Sequence, residues 1–128
     1  MPPLHALIIE DNANNSEVLQ LLLQQQGVDS TIVPSTRGVL AALDQLDQVD
    51  VIFLDIEFPI GDGFAVLDLL RTLPRLNGTP IVAYSVHISE IDRARAAGFD
   101  GFLGKPLQAQ LFPGQLRRIL GGRPVWEV

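Results

Sequence analysis

The chain predicts an α/β fold built on a parallel sheet, and two observations carry that reading. Short apolar runs alternate with longer amphipathic stretches along the whole sequence, the signature of repeated βα units. One run, Asp50-Val-Ile-Phe-Leu-Asp55-Ile-Glu-Phe-Pro59, is an apolar segment that carries a carboxylate out at its end and then turns at a proline. A buried strand that delivers an acid to a surface fits a sheet whose sites lie at the carboxyl ends of its strands.

In chain order the strand candidates are Leu4 to Ile9, Ser30 to Val33, Val51 to Leu54, Ile81 to Tyr84 and Gly101 to Leu103, and five strands is what this length supports. Between the first two, Asn14 to Gln26 reads as a helix with Leu19, Leu22 and Leu23 on one face and Gly27 as a left-handed stop. Ser35 is placed to cap a second helix ending near Leu46, in which an interior Gly38 costs roughly 1 kcal/mol against alanine. Phe64, Leu67 and Leu70 give a third helix its buried stripe after Gly63, and Pro74 ends it. Ser89 is placed to cap a short, Ala-rich fourth helix that stops at Gly98. In the fifth, Leu111, Leu116, Ile119 and Leu120 form a stripe with Pro113-Gly114 among them. Because proline is tolerated only in a first turn, that helix either starts near Phe112 or is broken there. Residues 1–121 read as the domain and 122–128 as a C-terminal tail, with Trp126 docking on its own domain or on a partner.

At 128 residues, 47% hydrophobic and 19% charged, the chain has the composition of one globular domain. The net charge is −6 and the basic residues are scattered, apart from Arg117, Arg118 and Arg123, which suit the negative end of a last helix. No nucleic-acid footprint follows from that pattern. No apolar run approaches the ~18 residues needed to span a bilayer, the N-terminus lacks the basic start of a signal peptide, and there is no cysteine. A soluble cytoplasmic protein with no membrane contact is the expectation.

Consecutive strand ends of such a sheet converge on one edge. There the sequence supplies Glu10 and Asp11 after the first strand, Asp55 after the third, Ser85 after the fourth and Lys105-Pro106 after the fifth. Taken singly these are ordinary: an acidic pair caps helices, a serine makes turns, Lys-Pro makes loops. Their conjunction at four strand ends is not. Three adjacent carboxylates repel one another unless protons or a cation neutralise them. Mg²⁺ suits a few carboxylates, waters and phosphate oxygens. A carboxylate can then act as nucleophile toward phosphorus, with the Lys ammonium and Ser hydroxyl supplying positive charge and a donor for the phosphoryl oxygens.

From Leu4 to about Leu120 these residues resemble the receiver domain of two-component response regulators. The resemblance implies a flavodoxin-like (βα)5 fold, a five-stranded parallel sheet in the order 2-1-3-4-5 with helices on both faces. It implies Asp55 as phospho-acceptor, and Mg²⁺ held by Glu10, Asp11, Asp55 and the backbone carbonyl of Glu57. Ser85 falls at the hydroxyl switch position and Phe102 at the aromatic one, where phenylalanine keeps the packing and removes the hydroxyl of a tyrosine. Lys105-Pro106 matches a Lys-Pro signature whose peptide bond is typically cis. Asn15, Pro59 and Gly63 also match family patterns, with Phe58 where methionine is usual. Glu57, Val86 and His87 are the departures that flank the site: the branched Val86 crowds the pocket, the acid at Glu57 repels phosphoryl oxygens or orients water, and His87 is either a pH-sensitive lid or an exposed loop residue.

The partners so implied are a histidine kinase or histidine phosphotransfer protein as donor, and a downstream protein or a second copy bound through the fourth helix, fifth strand and fifth helix. The only catalysis implied is self-catalysed phosphotransfer and autodephosphorylation. A second reading is a receiver-like adaptor that works through protein contacts without phosphorylation. A third, suggested by Asp55-x-Glu57 after an apolar strand, is a Mg²⁺-dependent aspartyl phosphatase, although those enzymes usually carry cap insertions for which this chain has no room.

Overall fold

The computed structural model describes residues 3–57 and 63–127. Its elements run β1 (His5–Ile9), α1 (Ala13–Gln25), β2 (Asp29–Val33), α2 (Val39–Asp44), β3 (Val51–Asp55), α3 (Gly63–Arg71), β4 (Ile81–Ser85), α4 (Ile91–Ala97), β5 (Gly101–Gly104), α5 (Phe112–Leu120) and β6 (Val125–Glu127). All pairings are parallel, and the sheet order is β2-β1-β3-β4-β5-β6. The expected order of the first five strands is present. The expected count of five is corrected to six, because residues 125–127, read as tail, form a strand beside β5.

Alternation along the strands divides the core between the two faces of the sheet. Leu7, Ile9, Ile52, Leu54, Ile81, Ala83 and Phe102 pack with Val39 and Leu43 of α2, Val66, Leu67 and Leu70 of α3, and Ala94 of α4. Ala6, Ile8, Val51, Phe53, Val82, Tyr84 and Leu103 pack with Leu19, Leu22 and Leu23 of α1 and Phe112, Leu116 and Ile119 of α5. All five residues of β3 are buried, as its apolar sequence requires.

The helix ends follow local chemistry. The Asn12 side chain caps α1 by accepting from the Asn15 amide, and Gly27 takes the left-handed φ of 76° just past its end. Ser35 caps a single 3-10 turn, Thr36–Gly38, and α2 starts only at Val39. Gly38 therefore stands at a junction instead of a helix interior, and α2 is shorter than its apolar pattern suggested. Ser89 likewise lies in a 3-10 turn ahead of α4 and makes no capping bond there. The alternatives for the last helix resolve to a start at Phe112 with Pro113 in the first turn.

Several contacts hold β6. Val125 is buried against the α1/α5 side, and Trp126 packs on the opposite core. The Arg95 guanidinium of α4 lies 4.7 Å from the Trp126 ring centre. From α5, Arg118 grips Glu127 with two bonds of 3.0 and 3.2 Å, and Gln115 adds one of 2.8 Å. Arg118 thus serves a specific ion pair as well as the end of its helix. The surface expected from α4, β5 and α5 is altered accordingly: β6 covers the edge that β5 would otherwise expose. Gly101 makes room for it, since a Cβ there would meet the Val125 carbonyl oxygen at 2.9 Å.

Trp126 is the chain's single tryptophan and so reports on β6 directly. Gly101→Ala should push β6 outward and cost about 1–3 kcal/mol by overpacking. The expected result is a red-shifted emission maximum in native buffer and an earlier urea midpoint. Unchanged emission would mean that the strand tolerates the added methyl.

Candidate functional site

The parallel sheet brings the ends of β1, β3, β4 and β5 to one edge, and four of the side chains singled out in the sequence meet there. Glu10, just past β1, is 1% exposed and Asp55, the last residue of β3, is 3% exposed. Asp11 is exposed, and one oxygen from each of the three carboxylates lies within 4.8 Å of the others. Lys105 reaches in from the end of β5, its Nζ 3.0 Å from Glu10 Oε1 and 3.4 Å from Asp55 Oδ2, with its side chain 6% exposed. The Lys105 amide donates to the Ser85 carbonyl at 2.9 Å, tying the β5 exit to the β4 exit, and the Lys105-Pro106 peptide is cis.

Asp55 is held at both oxygens. Its Oδ1 accepts from the Glu57 amide at 2.8 Å, while Oδ2 faces the Lys105 ammonium. Burial pushes its carboxyl up to about 7, the neighbouring Glu10 adds to that rise, and the Glu57 amide and Lys105 oppose it. Glu10 moves the other way. Burial alone would raise it, but its contacts with Asp55 and Lys105 outweigh burial and hold it below the usual carboxylate range. The buried pair therefore keeps a shared proton near neutrality.

Ser85 is fully buried at the end of β4. Its hydroxyl donates to Glu57 Oε1, which also accepts from the Val86 amide at 2.6 Å and the His87 amide at 3.2 Å. Burial raises the Glu57 carboxyl, but the bonds from Ser85, His87 and Val86 overcome that and lower it. Val86 is 53% exposed. His87 is exposed as well. Phe102 is fully buried on the α4 side of the sheet. Phe58 and Pro59, which the sequence places in the following turn, lie outside the described residues.

Tyr84 is a member of the site that sequence reasoning overlooked. Its ring lies 4.5 Å from Lys105 Nζ, and its buried hydroxyl faces Glu10 with no partner at full hydrogen-bond distance among the described residues. Burial, reinforced by Glu10 and Asp55, raises its pKa, so it stays a neutral phenol under the lysine. The signal was present: Tyr84 immediately precedes Ser85 and alternates to the opposite face from Ala83. The second orphaned atom is Glu10 Oε2. A buried anionic oxygen without a donor, beside two more carboxylates, is the donor set of a hard cation.

A doubly wound parallel sheet with an acidic cluster, a lysine and a hydroxyl at its strand ends defines a receiver-type signalling domain. The sequence matches the response regulator receiver domain over residues 6–117, and the chain belongs to that family. It is 38% identical over 125 residues to the sensor histidine kinase AruS of Pseudomonas aeruginosa, covering 92% of this chain and 12% of that protein. It is 29% identical over 116 residues to the transcriptional regulatory protein CpxR of Klebsiella pneumoniae, covering 89% of this chain and 48% of that one. The chain thus spans half or less of these relatives. A receiver domain of another Pseudomonas aeruginosa sensor histidine kinase, described with a magnesium ion coordinated in its active site cleft, shares the fold with a TM-score of 0.81. That likeness has 24% identity and covers 94% of this chain and 99% of the other.

The raised Asp55 has a thermodynamic sign. A carboxyl with a folded value near 7 binds its proton more tightly folded than unfolded, so its contribution to stability is full at low pH and is lost as pH rises from about 4 to about 7. Asp55→Asn removes that loss. In metal-free buffer the variant's stability advantage over wild type should grow across that window to on the order of 2 kcal/mol and then level off. Paired urea titrations measure it, and a pH-independent difference would refute the buried-proton assignment.

Proposed function

We propose that this chain is a phospho-accepting receiver in a two-component or phosphorelay pathway, and that Asp55 takes the phosphoryl group from a histidine kinase or a histidine phosphotransfer protein. The observation that carries the reading is the grip on Asp55: one oxygen fixed by the Glu57 amide, the other facing Lys105, with Glu10 and Asp11 alongside. A carboxylate so placed is oriented as a nucleophile. In the transfer one Asp55 oxygen bonds to phosphorus as the phosphorus–nitrogen bond of the donor phosphohistidine breaks, and the imidazole nitrogen keeps the electron pair. Attack of water on the resulting acyl phosphate returns free Asp55 and inorganic phosphate.

The acidic cluster suits Mg²⁺, with Glu10, Asp11, Asp55 and the Glu57 carbonyl as its protein ligands, and the ion supplies charge neutralisation for carboxylates and phosphoryl oxygens. The magnesium-bearing relative supports that choice. Lys105 stabilises the ionised carboxylate before transfer and pairs with a phosphoryl oxygen after it. Ser85 donates its hydroxyl to another. Phe102, one strand away and packed toward α4, follows the displacement of Ser85 and passes it to the surface of α4, β6 and α5. That surface, with β6 included, is where we place the downstream partner or a second copy; the site of action is the cytoplasm. The signal is a population shift between two packings of this edge.

Incubation with Mg²⁺ and a small phosphodonor should add one phosphoryl mass to the intact protein, and none to Asp55→Asn. Lys105→Ala should lower the charging rate by about 100-fold, as loss of a charge-stabilising donor does at such sites. Equal labelling of wild type and Asp55→Asn would remove Asp55 from the chemistry.

A further inference from the structure

We propose that the Glu57 carboxylate is the resting occupant of the phosphoryl-oxygen cradle, and that charging Asp55 requires its displacement. The inference rests on the reading of Asp55 as acceptor and adds the regulation of that site. Three donors converge on Glu57 Oε1: the Ser85 hydroxyl, the Val86 amide at 2.6 Å and the His87 amide at 3.2 Å, the last shared with Ser85 Oγ at 2.9 Å. A hydroxyl beside two successive backbone amides is an anion-binding concavity. The same residue's own amide holds Asp55 Oδ1 at 2.8 Å. Glu57 thus spans the site, its main chain orienting the acceptor and its side chain filling the donors that face it.

An oxygen on phosphorus bound to Asp55 needs those donors, and Ser85 has one hydroxyl proton to give. Two anions cannot share it. Release is open to Glu57, because it is only half-buried and its neighbours Val86 and His87 are exposed, so the carboxylate can swing into water. Charging then exchanges one anion for another on the same donors. Two consequences follow. Phosphorylation is slowed by the strength of the internal contact, and Ser85 must leave Glu57 before it can follow the phosphoryl group.

The test compares wild type with Glu57→Ala, Glu57→Gln and Glu57→Asp, each of which keeps the backbone groups that orient Asp55 and ligate metal. Charging by acetyl phosphate with Mg²⁺ should accelerate roughly tenfold or more in Glu57→Ala, since charged hydrogen bonds are removed from the resting state alone. Glu57→Asp keeps the charge but is one methylene too short for the three donors, so it should charge as fast as Glu57→Ala. If Glu57→Asp stays as slow as wild type while Glu57→Ala is fast, remote repulsion is the cause and the cradle assignment falls. Equal rates in all four proteins also overturn it.

A second readout needs no phosphorus chemistry: the Val86 amide should exchange with solvent slowly in wild type and quickly in Glu57→Ala. Equal exchange would overturn the occupancy. If no protein is charged while the exchange difference is present, the acceptor reading fails and the occupancy holds.

Discussion

The site depends on how one buried ammonium is shared. Lys105 is set between Glu10 and Asp55 where little water reaches, and its charge opposes the rise that burial imposes on both acids. Such an arrangement gives little net stability, because the charges lose their hydration when buried. What it gives is position. Glu10 comes from β1, Asp55 from β3 and Lys105 from β5, so the cluster exists only when the parallel order of these strands is correct. The partners are not equivalent: removing Lys105 leaves buried acids uncompensated, whereas neutralising Asp55 relieves the crowding.

That balance bears directly on the role proposed for Asp55. A carboxyl whose pKa burial has raised is protonated more of the time, and a protonated acid is a poor nucleophile. A cation near Glu10 and Asp11 would expel the proton and convert the same atom into an oriented carboxylate. The geometry is ready beforehand, since the Glu57 amide already fixes the second oxygen. Chemistry is thus gated by charge and little backbone movement is required of the acceptor itself.

Much of this could be read from the sequence. The apolar run ending at Asp55, together with Glu10, Asp11, Ser85 and Lys105 at neighbouring strand ends, was enough to indicate a parallel sheet and to assemble the site. What escaped was conformational or came from afar. The side chain of Glu57 could have pointed to water or into the pocket, and only the folded loop after β4 sets three donors before it. Tyr84 looked like one more core aromatic until Lys105 was found over its ring. Residues 125–127 are too few to show a strand period, and their pairing depends on a glycine 24 positions earlier, Gly101, whose missing Cβ admits them.

The direction of β6 governs where the chain leaves the fold. An α-helix following β5 returns the backbone to the end of the sheet remote from Asp55; a further parallel strand carries it back again. Glu127 lies in register with Leu103, two residues before the lysine of the site. A tag, fluorophore or fused domain joined beyond Glu127 would therefore start on the Asp55 side of the sheet. A shorter linker at that end brings the cargo toward Asp55, so attachment is better made at the opposite rim, next to the start of β1.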